Sequence, residues 1–303
     1  MHQGVPLSAF GLIVTAMMLV ALSDTAGKLL TQELGVAPGF GAWSRFALGT
    51  AMMLPLLRGA GLDMRLMLDW RIWLRGGIMA TGILCVLTAL RTEGMATVFG
   101  AFFVGPLLSY ALGALLLKEP ITRAQTLALF VGFAGVLIVV RPGFGMTAGT
   151  GFGLLAGLLY GCFLTTSRWL RDRARPRAML MAQLLVGSVL LAPVGLTALP
   201  TPTPAIAALT LGSATGSMLG NLCLIFAYRR APASRLAPFI YTQLVMATAL
   251  GFFVFGDWPD ALTLIGLTVL IGAGLVSFTL GRGGPATAPV PAAASRTDRP
   301  SAG

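Results

Sequence analysis

Asp24, Lys28 and Arg45 are the residues whose type and placement could do chemistry. Asp24 and Lys28 fall in Ala21-Leu22-Ser23-Asp24-Thr25-Ala26-Gly27-Lys28, near the far end of an apolar run from Val5 to Leu30. Nineteen residues of that run precede Asp24, and none is charged. As a helix, a run of that length crosses a hydrocarbon core of about 30 Å. A charge at its centre costs roughly 2.5–3.5 kcal/mol on the insertion scale, so it needs a reason. The two charges are four apart on one helical face, acid first, which is the better order for a pair. Either they neutralise each other and lock the helix against its neighbours, or they line a polar pathway.

Arg45 sits in the next apolar run. At about 1.5 Å per residue it lies roughly 10 Å below the outer end of its span, and Asp24 about 9 Å below the outer end of the first. Two antiparallel helices joined by a short loop put these charges at one depth. A structural use is an Asp24–Arg45 pair, or a Lys28–Arg45–Asp24 cluster, that fixes the helices. In a functional use, Arg45 or Lys28 meets a substrate anion and Asp24 meets an amine or a proton, as the protonatable group of a proton-coupled cycle.

Further polar side chains inside apolar runs are Gln183, Asn221 and Gln243, with Tyr110, Tyr160 and Tyr241. The amides are expected to make interhelical hydrogen bonds more often than ligand contacts. Trp43, two before Arg45, and Tyr241, two before Gln243, are the aromatics expected to stack on a flat substrate. Other chemistries lack their residues. His2 is the only histidine, which leaves no histidine-based catalysis or metal cluster. Cys85, Cys162 and Cys223 all lie in apolar runs, so neither a disulfide framework nor a CxxC metal site is available. The ten acidic residues form no DDxxD cluster. The chain is expected to be no enzyme and to use no metal or other cofactor.

The elements that must position these residues follow from composition. Of 303 residues, 56% are hydrophobic and 10% charged, and the mean hydropathy is +0.86. A soluble domain would be near a quarter charged. The apolar segments are long and continuous, unlike the ten-residue alternation of a β-barrel. The expected class is an all-α integral membrane protein with ten transmembrane helices. The spans are about Val5–Leu30, Pro38–Leu57, Ile72–Leu90, Ala96–Leu117 and Ala124–Val140, then Gly149–Thr166, Met179–Leu199, Ala205–Tyr228, Leu236–Phe255 and Ala261–Leu280. The first lacks a basic n-region and is too long for a cleaved signal, so it is kept as a membrane helix. Residues 281–303 read as a disordered cytoplasmic tail rich in Pro, Ala and Ser.

The net charge of +11 could point to nucleic acid, but the basic residues alternate. Arg58, Arg65, Arg71 and Arg75 surround the second connection, Lys118 and Arg123 the fourth, and Arg168, Arg171, Arg173, Arg175 and Arg177 the sixth. Arg229, Arg230 and Arg235 sit at the eighth, and Arg282 follows the last span, whereas odd-numbered connections hold only Arg91 and Arg141. That is a topology signal. It places both termini and the basic loops in the cytoplasm, in a bacterial-type inner membrane, and leaves no reason to expect nucleic-acid binding.

A shift of 138 superimposes Pro38 on Pro176, Gly49 on Gly187, Pro55 on Pro193 and Gly82 on Gly220. It also pairs Cys85 with Cys223, Arg91 with Arg229, Gly113 with Gly251 and Glu119 with Asp257. Each unit holds five spans, so the second enters the membrane from the opposite side. Inverted repeats of this kind characterise secondary transporters, with the substrate site near the repeat interface. The mates of Asp24, Lys28 and Arg45 are the uncharged Cys162, Thr166 and Gln183, so these charges are expected to work only in the first unit. Gly149, Gly153, Gly157 and Gly161 step by four, as do Gly212, Gly216 and Gly220, and both stripes read as close-packing faces. Glu119 and Asp257 end the fourth and ninth spans, where the helix dipole disfavours an anion. They are expected to pair with basic groups, and are candidates for gate latches.

At this point the chain resembles the ten-helix EamA-type members of the drug/metabolite transporter superfamily. The resemblance rests on Asp24…Lys28 and on Pro38 with Arg45. It continues through Phe103-Val104-Gly105-Pro106, Leu117-Lys118-Glu119-Pro120 and Val140-Arg141-Pro142-Gly143. In the second half it is carried by Tyr241-Thr242-Gln243 and Phe255-Gly256-Asp257. It implies EamA-like repeats at about 5–143 and 149–280, and a small-molecule carrier with a central cavity that works by alternating access. It admits uptake of riboflavin- or S-adenosylmethionine-like compounds, or export of amino acids or drugs, with proton or counter-substrate coupling. Leu244 stands where Pro106 stands in the first half, so a kink there is expected to be lost or carried elsewhere. A membrane-embedded enzyme and a channel are the remote alternatives.

Overall fold

The computed structural model describes residues 7–57, 64–118, 123–142, 146–170, 173–230, 236 and 239–280. Glu119, Pro120, Gly143, Arg58, Arg171, Arg235, Arg282 and the tail 281–303 lie outside the described residues, and so does the side chain of Arg123. Among the described residues the regular structure is all helical. In lipid only helices or closed barrels satisfy every backbone polar group, and these continuous apolar runs select helices.

Helix α1 (Leu7–Lys28) ends in a wide, π-type turn over Leu29–Glu33. Helix α2 (Pro38–Met53) starts on a proline, whose missing N–H costs nothing at a first position. It tightens into a 3₁₀ turn, Leu54–Leu57, so its α-helical part is shorter than the expected span. A 3₁₀ turn, Met64–Leu68, leads to α3 (Trp70–Leu90), capped by Asp69, which accepts the Arg71 N–H at 3.0 Å. Next come α4 (Met95–Phe102) and α5 (Val104–Leu116), one apolar stretch broken at Phe103. Pro106 explains the break: it has no N–H, and its ring crowds the Phe102 carbonyl four residues back.

Then follow α6 (Arg123–Val140), α7 (Ala148–Trp169) and α8 (Pro176–Leu196). The last are α9 (Pro204–Arg230), and what are here α10 (Thr242–Phe255) and α11 (Ala261–Leu280). α10 begins after a turn at Tyr241, the residue 138 beyond Phe103. The second half thus keeps an interruption at the matched position without the proline.

Among the described residues six helical stretches are long and apolar enough to cross a membrane: Leu7–Glu33, Trp70–Leu90, Met95–Leu116, Ala148–Trp169, Pro176–Leu196 and Pro204–Ala227. Leu129–Val140, Thr242–Phe255 and Ala261–Val276 are apolar but shorter.

The helices pack across the chain's midpoint. α1 lies on α9, and α3 on α7; α2 packs against α8 and α6 against α11. α2 also meets α9 as α3 meets α8, and α5 lies on α7 as α10 lies on α1. Exchange each first-half helix for its mate 138 residues on, and this set of pairings returns itself.

The α7 glycine stripe does the packing expected of it, and the α9 stripe does so at two of its three glycines. An added Cβ on Gly157 would stand 2.5 Å from the Phe102 carbonyl oxygen, and one on Gly161 2.7 Å from that of Gly105. On α9, Gly216 and Gly220 face α1 in the same way, whereas Gly212 meets nothing within 4 Å. Close backbone approach seats α7 in the α4–α5 break.

Candidate functional site

Arg45 and Asp24 meet as the depth argument requires. Arg45 Nη1 donates to Asp24 Oδ1 at 2.7 Å. Both residues are 4% exposed. The other donors are used too: Nη2 reaches the Ser23 carbonyl at 2.8 Å and Nε the Ser213 hydroxyl at 2.8 Å. Ser213 on α9 and Ser23 on α1 each donate a hydroxyl to the other's carbonyl, at 3.1 and 2.7 Å. Gly27 leaves room for the guanidinium, since a Cβ there would lie 2.3 Å from Arg45 Nη2. The locus therefore ties α1, α2 and α9 in a closed polar circuit.

Lys28 does not join it, which corrects the expected Asp24–Lys28 pair and the three-residue cluster. Its ammonium points the other way. Nζ lies 2.5 Å from Asp257 Oδ2 and 3.0 Å from the Glu93 carbonyl, and 4.5 Å from the Phe255 ring centroid. The Lys28 side chain is 1% exposed and that of Asp257 36%. The Asp24 carboxylate is already taken by a guanidinium, so the lysine finds the other acid within reach. Asp257 has the basic partner expected for an anion beyond a helix end. It follows Gly256, whose φ of 70° gives α10 a left-handed cap. At the same end Arg141 bonds Asp260, and Glu93 accepts from Thr147. These contacts join residues of the first half to residues of the second.

The remaining expected site residues scatter. Trp43 lays its ring against Gly195 of α8. Asn221 donates to the Ser217 carbonyl one turn back at 2.8 Å, a bond within its own helix rather than between helices. Gln243 is half-buried in the first turn of α10, and Tyr110 half-buried on α5. Gln183 is 4% exposed, with no hydrogen-bond partner for its amide among the described residues.

Tyr160 and Tyr241 belong to a run of rings. Tyr241 stands 5.1 Å from Phe103, and Phe102 6.4 Å from Phe103. Phe102 then lies 4.8 Å from Tyr160, and Tyr160 6.1 Å from Phe163 in a stacked pair. Phe103 and Tyr241 are mates under the 138 shift that touch each other.

Arg75 is the residue that sequence reasoning misplaced. The charge alternation groups it with a basic connection, but it lies inside α3 and is 8% exposed. Nε donates to the Ser167 hydroxyl at 2.9 Å, and the guanidinium sits over the Phe163 ring at 4.5 Å. Among the described residues it meets no carboxylate. One signal could have found it: under the 138 shift Arg75 is the mate of Ser213.

The model of the EamA-like transporter family matches twice, over residues 7–141 and 147–279. An uncharacterized transporter of Helicobacter pylori is 27% identical over 182 residues, 56% of this chain and 60% of that protein. A riboflavin transporter of Rhizobium johnstonii is 24% identical over 87% of this chain and 88% of its own length. An S-adenosylmethionine uptake transporter of Rickettsia bellii is 24% identical over 85% and 90%. A solved crystal structure superimposes with a TM-score of 0.63 over 91% of this chain and 98% of that one, at 19% identity, a likeness of fold alone. With its apolar helices and both halves matched, the chain is a multi-pass membrane protein and belongs to the EamA-like transporter family.

Proposed function

We propose that this transporter moves a small amphiphilic metabolite across the inner membrane by alternating access between two inverted five-helix halves, with both termini in the cytoplasm. The carrying observation is the set of helix pairings that returns itself when the halves are exchanged. Such an arrangement can present one site to either side by rocking one half against the other.

In this reading Asp24 and Arg45 are a strut. Each of the three guanidinium nitrogens of Arg45 donates a hydrogen bond inside the bundle, so breaking the pair would leave an uncompensated buried charge. Lys28 and Asp257 form the outer latch. They join α1 to the loop after α10, and Asp257 keeps enough exposure to exchange its ammonium partner for water when the outer end opens. The substrate class is a vitamin or an amino-acid-derived compound, supported by the names of relatives at low identity.

The test uses purified protein in liposomes with labelled riboflavin and labelled S-adenosylmethionine as probes. Uptake or counterflow of a probe is expected. A short cleavable thiol cross-linker between Lys28→Cys and Asp257→Cys should stop it, with recovery on cleavage. Flux that continues with the outer latch cross-linked would contradict the reading.

A further inference from the structure

We propose that Arg75 is the receptor for an anionic group, a carboxylate or a phosphate, on a substrate with a planar ring. The proposal rests on the carrier reading above and adds the substrate class and the residue that selects it.

The 138-residue repeat gives the strut a counterpart. The strut is built from Asp24 on α1, Arg45 on α2 and Ser213 on α9. Their mates under the 138 shift are Cys162 on α7, Gln183 on α8 and Arg75 on α3. Those three helices also pack together, α3 lying on both α7 and α8. Gly76, beside Arg75, meets Val186 of α8, and Arg75 itself meets Phe163 and Ser167 of α7. The chain thus repeats the locus at the other end with its charges redistributed. The cation has moved to a third helix, and the position of the carboxylate holds a thiol.

Energetics then make the second locus a receptor. A buried guanidinium without a counter-charge is costly. A ring face returns about 0.5–2 kcal/mol, and one neutral hydroxyl about 1 kcal/mol. Those contacts do not offset desolvation as Asp24 does for Arg45. Nε is spent on Ser167, while the two terminal nitrogens meet no acceptor among the described residues. They form a planar fork suited to a carboxylate or phosphate. Gln183, buried and without a partner among the described residues, offers a further donor at the counterpart of Arg45.

The rings supply the rest of the recognition. Phe163, Tyr160 and Phe102 lead from the guanidinium toward the α4–α5 break, and all three are half-buried rather than sealed. An anion held by Arg75 would place an attached planar ring against this run. A membrane-facing arginine reaching for lipid headgroups would be exposed, and Arg75 is not.

The test is binding to purified full-length protein, so it stands apart from flux. Two probe pairs set an anion against a neutral compound with the same planar ring: riboflavin 5′-phosphate against riboflavin, and nicotinate against nicotinamide. In at least one pair the anionic member should bind tenfold or more tighter than the neutral one. Arg75→Gln should remove that preference and leave neutral-probe binding within twofold. Arg75→Lys should restore part of it. If Arg75→Gln does not purify folded, Arg75→Lys and Phe163→Leu carry the test. The first should keep a reduced anion preference, and the second should weaken both members of a pair. Equal binding of both members by the wild type, no binding of any probe, or a preference that survives loss of Arg75 would overturn the proposal. Anion-selective binding without flux in liposomes would overturn the carrier reading and leave this one standing.

Discussion

Two arginines are buried in mated parts of this bundle, and they differ in what surrounds them. Arg45 has a carboxylate at 2.7 Å, a hydroxyl and a carbonyl, and the three partners come from α1 and α9. Arg75 has one hydroxyl and one ring face. The two loci are mates under the 138 shift, one closed by a carboxylate and the other, among the described residues, without one. A charge that the protein satisfies by itself holds helices together; a charge left without a counter-ion is available to something that arrives. On the proposal above, that difference separates scaffold from receptor.

The comparison breaks most readily at the closed locus. Asp24→Asn or Arg45→Ala leaves its partner buried and uncompensated, at a cost of about 3–5 kcal/mol. Each should melt far below the wild type in detergent. If Asp24 instead carries the coupled proton, Asp24→Asn will fold normally and flatten the pH dependence of flux. That result would refute the strut.

Cys162→Asp sharpens the comparison from the other side, by restoring the acid at the mated position. The account expects the anionic-probe preference to fall tenfold or more in equilibrium binding, with no loss of thermal stability. Gly157→Val attacks the packing that positions the rings. Its Cβ would stand 2.5 Å from the Phe102 carbonyl oxygen, and such overpacking costs about 1–3 kcal/mol. A lower melting temperature together with weaker probe binding is expected.

A smaller contrast lies at the helix ends. Lys118 and Gly256 are mates, and both are left-handed, with φ of 54° and 70°. An L side chain pays about 1 kcal/mol there. Lys118→Gly should therefore raise stability, and Gly256→Ala lower it, by similar amounts in thermal unfolding.

The smallest effect is at Asp260, just outside α11. The Thr263 side chain first, then Arg141, hold its carboxyl below the usual range. A depressed folded value means that the stabilisation is present above the unfolded value near 4. It is lost as pH falls through the folded one. Asp260→Asn should narrow the gap between melting temperatures at pH 6 and pH 3 slightly, because the pair is exposed and screened.

Much of the scaffold was legible in the chain. Continuous apolar runs, Pro38 and Pro176 at helix starts, and the 138 shift all speak through local chemistry and spacing. Asp24 and Arg45 could be matched by counting depth along adjacent helices. Lys28 could not be assigned, because its acid lies 229 residues away and nothing local distinguishes Asp257 from Asp24 as its partner. Ser213 is one small residue in a helix rich in them. Arg75 was hidden for another reason. Near a helix end, a basic residue reads equally as a topology marker and as a buried charge, and only the packing of α7 over α3 separates the two.

All of these contrasts assume that mated positions face opposite sides of the membrane. The most direct measurement labels single cysteines at two exposed sites near the mated caps, Lys118 and Trp258, with a membrane-impermeant maleimide. Cys85, Cys162 and Cys223 are first replaced by serine. In intact cells the account predicts labelling of Trp258→Cys and protection of Lys118→Cys, with Lys118→Cys reacting only after the membrane is opened. Labelling of both from the same side would contradict it.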